Sequence, residues 1–257
     1  MLLHIISYRP IALVFSIALC LLNHACSPKI ANPPAQGFNA AASDAKAVAI
    51  ADEVMAAMGG RQAWDATHYI SWNFFGSRTL LWDKYTGQCR IEWKKRPLQV
   101  IVNVNTGKGK VAIGGVEQTQ PDTLAKYLDM GKRAWINDSY WLLMPFKLKD
   151  SGVTLRYLGE AKTEKGAAAD LLQMTFAGVG VTPDNKYHVW VDKQSRLVTQ
   201  WAYFPKFTDE KPQFINPWND YKRYGAVLIS GDRGRGEVNL LPIEVLTEAP
   251  AGTFEKW

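Results

Sequence analysis

The sequence predicts an α+β domain whose sheet is antiparallel, and three observations carry that expectation. Runs of alternating apolar residues recur at short spacing between residues 70 and 203. Tight-turn residues separate most of them, and helical periods stand before the first run and in the middle of the chain. Parallel neighbours would need crossovers of a dozen or more residues, so short turns imply a meander.

The elements follow in chain order. Residues 1–25 read as a targeting leader: Arg9 and Pro10 precede the twelve uncharged residues Ile11 to Leu22. That run has the length of a signal-peptide core and falls short of the ~20 apolar residues of a membrane span. Ala25-Cys26 then resembles the end of a bacterial lipobox, in which Cys26 is lipidated and becomes the mature N-terminus. Leu22 sits one place early, and Asn23 and His24 depart from the pattern, so plain cleavage after Ala25 is the competing reading. Residues 26–42 are rich in Pro, Ala and Asn without a period, as a flexible tether would be. Residues 43–257 are long enough for one domain with a full core.

That domain opens with a helix, for which Ser43 is the expected N-cap and Ala47, Ile50, Val54 and Met58 the buried stripe. Gly59-Gly60 ends it, and a helical turn follows at Gln62-Ala63-Trp64. Period-two runs come next at 70–74, 90–94 and 100–104, then at 172–176, 187–191 and 197–203. The last two make the clearest hairpin, across Asp192-Lys193-Gln194-Ser195. Between these groups Pro121-Asp122 starts a helical stretch that runs into an aromatic segment ended by Pro145.

This layout resembles the LolA/LolB-type lipoprotein carriers of the bacterial envelope. The segments that carry the likeness are Met58 to Trp64, Leu81 to Gly87, Asn137 to Pro145, Val191 to Val198 and Asn216 to Tyr221. The resemblance implies an incomplete barrel, a curved antiparallel sheet with helices covering its concave face. It also implies a cavity that binds acyl chains or lipidated cargo in lipid or lipoprotein trafficking. Trp72, Phe74, Trp93, Trp190 and Trp201 on strands, with Trp135, Trp141 and Met144 on the cover, are the candidate lining. Tyr187/Val189/Val191 and His188/Trp190/Asp192 occupy opposite faces of one strand, and alternation alone leaves open which face meets the cavity. Opening of the cover around 121–145 would release the cargo. A lipid on Cys26 would make the chain a tethered holder at the outer membrane, facing the periplasm; without it a soluble shuttle is the better reading.

Other functions find little support. Removing the leader removes Arg9 alone among charged residues, so the net charge of +6 becomes +5. The basic residues are scattered, which gives no nucleic-acid motif. His4 and His24 belong to the leader, leaving His68 and His188, and no HExxH or paired-cysteine spacing suggests a metal or cofactor. Cys89 is alone in the domain. No nucleophile elbow or phosphate loop is present, so a non-enzymatic binder is expected. Arg233 and Arg235, in Asp232-Arg-Gly-Arg-Gly236, are candidates for an anionic head group, although the segment also reads as a hairpin turn before 238–245. The alternatives are an assembly lipoprotein that holds a protein partner in the envelope, and a hydrolase of envelope glycans.

Overall fold

The structure, a computed structural model, describes residues 31–178, 180 and 183–257. The leader and Cys26 lie outside the described residues. Within them the chain is α+β: antiparallel sheets that do not close into a barrel, with a long helix across the inner side.

Helix α1 (Ala45–Ala57) buries Ala47, Ile50, Ala51, Val54 and Met55, the stripe its period predicts. Its N-cap is Asp44 rather than Ser43. The Ser43 hydroxyl is instead engaged elsewhere, donating to the Asn39 carbonyl and accepting from the Leu155 N–H. Gly59 ends the helix at φ +116°, and a Cβ there would lie 2.3 Å from the Ala226 carbonyl oxygen. The short α2 (Arg61–Ala66) follows.

The first sheet runs through β1 (Tyr69–Phe74), β2 (Arg78–Asp83), β3 (Gln88–Trp93), β4 (Leu98–Asn103), β5 (Gly109–Ile113) and β6 (Val116–Glu117). A cross-strand row, Trp72, Leu80, Ile91, Val100 and Val111, is buried on its inner face. Helix α3 (Pro121–Leu143) crosses that face as one uninterrupted helix. Pro145 ends it, since a proline supplies no N–H to the Trp141 carbonyl; a 3-10 turn, Met144–Lys147, follows.

The second sheet is β7 (Val153–Lys162), β8 (Ala168–Phe176), β9 (Lys186–Asp192), β10 (Val198–Phe204) and β11 (Phe214–Pro217), in the order β11-β10-β9-β8-β7. The hairpin β12 (Asn219–Tyr224) and β13 (Val227–Asp232) comes next. The segment after Gly236 touches β13 through one backbone bond, Leu240 N–H to the Gly231 carbonyl at 3.0 Å, but forms no strand ladder with it. Instead β14 (Ile243–Leu246) pairs with β1, so the Asp232–Gly236 turn leads across to the first sheet.

Residues 31–42, expected in the tether, are packed on the domain. The Ala35 N–H donates to the Lys149 carbonyl and the Asn39 N–H to that of Val153. The Lys149 ammonium is buried between the Asn32 carbonyl and Asp52. Backbone groups and one buried lysine hold this segment, so its lack of apolar period gave no sign of order.

Two contacts pin α3 to the first sheet, and a third ties its end to the segment after β13. Gly131 lets the helix approach β4 so closely that a Cβ would sit 2.7 Å from Val100 Cγ1. Asp138, fully buried, takes a bidentate pair from Arg78 at 2.6 and 2.7 Å. At the end of the helix, Arg233 donates twice to the Trp141 carbonyl that Pro145 leaves without an intrahelical partner. Among the described residues no helix is long and apolar enough to cross a membrane.

Candidate functional site

With one side of α3 held on the first sheet, its other side faces the second sheet across a cavity of about 410 Å³. That volume lies within the ~300–1,000 Å³ range of small-molecule sites. Eight aromatic residues line it: Trp135, Tyr140 and Trp141 from α3, Phe176 from β8, Tyr187 from β9, Trp201 and Tyr203 from β10, and Phe214 from β11. All but Trp135, whose ring packs on Trp82 at 5.1 Å, contact one another in a continuous chain. Trp141 stacks on Phe214 at 5.5 Å and meets Trp201 edge-on at 5.0 Å. Tyr187 lies 5.1 Å from Trp201 and 5.4 Å from Phe176. Such ring contacts fix the wall geometry and leave wide apolar faces towards the space.

Strand alternation explains which residues reach the cavity. Tyr187 pairs with Tyr203 and Val189 with Trp201, so these four share the inner face. Trp190 takes the opposite face, in a separate cluster with Ala169, Ala202 and Phe204. His188 is on that outer face too, 4.6 Å from the Phe204 ring, and burial beside Lys186 pushes its imidazole down to about 4.

Polar groups collect where the cavity opens. Asn137, Ser151 and Gly180 are exposed lining residues, and Lys147 and Asp150 stand beside them. Lys147 Nζ pairs with Asp150 Oδ2 at 2.9 Å and lies over the rings of Tyr140 (5.3 Å) and Trp135 (5.7 Å). Burial pushes the Tyr140 phenol well above its usual range, and nearby Asp150 adds to the shift. Burial raises Tyr187 as well, so both phenols keep their protons and remain donors at neutral pH.

Of the eight lining residues expected from sequence, the structure brings Trp135, Trp141 and Trp201 to the cavity. Trp72, Trp93 and Met144 are buried in the core cluster, and Phe74 packs against it with an edge-on contact to Trp141 at 6.4 Å. Arg233 is completely buried, and its guanidinium is taken up by the carbonyls of Trp141, Ser230 and Asp232 and by the Trp218 face at 3.4 Å. Burial pushes it down to about 9, which still leaves it charged at neutral pH. Arg235 is exposed and lies over Phe75 and Trp141 at 5.1 and 5.3 Å. The sequence reading missed Tyr140, Phe176, Tyr187, Tyr203 and Phe214. For Tyr187 and Tyr203 the signal was their shared parity across the best-defined hairpin.

Among the described residues no group of three His, Cys, Asp or Glu side chains could hold a metal ion. Cys89 is buried, and burial raises its thiol well above the usual value, which suppresses nucleophilicity.

No protein-family model matches the chain, and no curated protein matches it. Solved structures similar to it include a DUF1329 family protein from Desulfovibrio piger, at 12% identity and TM-score 0.41, over 81% of this chain and 97% of that one. A LolA superfamily protein from Nitrosomonas europaea is similar at 6% identity and TM-score 0.35, over 82% and 97% of the two chains. MucB in complex with MucA(peri) is similar at 12% identity and TM-score 0.23, over 82% of this chain and 60% of that one. Any function must therefore be argued from the cavity itself.

Proposed function

We propose that this chain is a non-enzymatic binder of acyl chains, carried by lipids or lipidated proteins, in the bacterial cell envelope. The observation that carries the reading is the aromatic cavity between α3 and β8–β11. Acyl chains gain free energy by leaving water for an apolar surface and require no directional partners. Ring faces supply that surface, and the polar groups at the exposed side, Asn137, Lys147, Asp150 and Ser151, suit the head of an amphiphile. The role would be trafficking or holding of lipids or lipoproteins on the periplasmic side of the outer membrane, through an acylated Cys26. Because α3 is pinned to the first sheet, entry would take place at the side where Asn137, Lys147, Asp150 and Ser151 stand, without lifting the helix.

The test is native mass spectrometry of the purified, delipidated full chain with long-chain acyl ligands. The reading expects one bound acyl ligand per chain and its loss in Phe214→Glu, which puts a carboxylate on a partly exposed edge strand of the cavity. Wild-type protein that retains no amphiphile contradicts it.

A further inference from the structure

The opening of the cavity has a surplus of hydrogen-bond donors. The Lys147 side chain is 13% exposed, and its ammonium has one hydrogen-bond acceptor among the described residues, Asp150 Oδ2. An ammonium has three donors, so two lack an acceptor among the described residues. The Tyr140 and Trp135 rings beside it favour the cation but supply no oxygen. The Tyr140 hydroxyl has no hydrogen-bond partner among the described residues, and it belongs to the same wall. Asp150, by contrast, is 36% exposed, so it can turn to water if another anion takes its place. A cationic head group would meet the reverse situation. The aromatic faces it would use already carry the Lys147 charge, and the single carboxylate is already paired.

The geometry points to an amphiphile with one chain and one anionic head, a carboxylate or a phosphate monoester. Its chain lies among Trp141, Tyr187 and Trp201, and its head rests on the Lys147 ammonium and the Tyr140 hydroxyl. This inference rests on the acyl-binding reading and adds to it the charge and position of the head group. Replacement of Asp150 by the ligand's oxygens keeps Lys147 paired throughout, so entry does not require an isolated buried charge.

The test compares dodecanoate, dodecyl phosphate and uncharged dodecanol on the delipidated full chain by native mass spectrometry titration. Wild-type protein is expected to prefer both anions over dodecanol by about 10-fold or more, the scale of one charge-assisted hydrogen bond. Lys147→Met should bring the anions down to the level of dodecanol and leave dodecanol unchanged. Asp150→Asn should tighten the anions severalfold, because it removes both the competitor and a like charge. Near-ultraviolet circular dichroism of each variant verifies the native packing. Equal binding of all three ligands by wild-type protein, or an equal loss of all three in Lys147→Met, overturns the head-group assignment and leaves acyl binding standing. Binding of none of the three overturns both.

Discussion

The pair between Arg78 and Asp138 gives the account its sharpest stability test. Asp138 sits on α3 with no exposed side-chain surface, and Arg78 on β2 is 17% exposed. Burial pushes the Asp138 carboxyl up, against the lowering effect of Arg78 and of Asn137, which donates to it at 3.0 Å. Removing one member of a buried pair costs about 3–5 kcal/mol, because the other charge stays behind uncompensated. Arg78 keeps some contact with water, so Asp138→Ala is placed at the low end, about 3 kcal/mol, or a fall in Tm of about 6–12 °C. The double variant Arg78→Leu/Asp138→Leu removes both charges together and is expected within about 1 kcal/mol of wild type. Arg78→Leu alone adds a pH signature. Its Asp138 has a folded pKa further above the unfolded value near 3.9, so the folded state prefers the protonated acid. The resulting relative stability is fully present below the unfolded pKa and is lost as pH rises through the folded pKa. The deficit of Arg78→Leu should therefore shrink between neutral pH and about pH 4. Urea unfolding of the four proteins across that range measures each quantity. A double variant as unstable as the single ones, or a deficit indifferent to pH, would refute the view that this pair fixes α3.

The other contacts make predictions of their own. Gly131→Ala should cost about 1 kcal/mol net, since overpacking against Val100 outweighs the gain in helix propensity; Val100→Ala in the same chain should recover the loss in urea unfolding. Arg233→Lys should destabilise by about 2 kcal/mol, because a lysine cannot reproduce the fork on the Trp141 carbonyl or the stack on Trp218; denaturation midpoints equal to wild type would contradict this. His188 has a folded value of about 4 against an unfolded value near 6.5. Its neutral form is the one the fold accepts, so stability should fall as pH drops from about 6.5 to 4. In His188→Phe that part of the loss should disappear from midpoints measured at pH 7, 5 and 4.

How much of this was legible in the sequence depended on how local the cause was. Period and capping placed α1, α3 and the β9–β10 hairpin, since their faces are set by neighbours three or two residues apart. The packed segment 31–42 was not legible, because its partners Lys149 and Val153 are more than a hundred residues away. The fate of β14 was hidden in the same way: nothing around Ile243 and Glu244 indicates that they pair with Trp72 and Ser71 instead of β13. Tryptophan count pointed to aromatic walls without separating wall from core. Trp72 and Trp201 both alternate on strands and both are buried, yet only Trp201 faces a gap that α3 leaves unfilled. Arg233 looked like a surface charge in a glycine-rich turn. Its role follows from Pro145, which orphans a carbonyl on a distant helix, and no local pattern encodes that coincidence.

The most direct test of the central claim is where a bound acyl chain lies. A fatty acid with a diazirine along its chain, photoactivated on the delipidated full chain and mapped by peptide mass spectrometry, reads that position. The account predicts saturable labelling at Trp141, Tyr187, Trp201 and Phe214, abolished by excess unlabelled fatty acid. Labelling of the outer face around Trp190 and Phe204, or no saturable labelling at all, would contradict it.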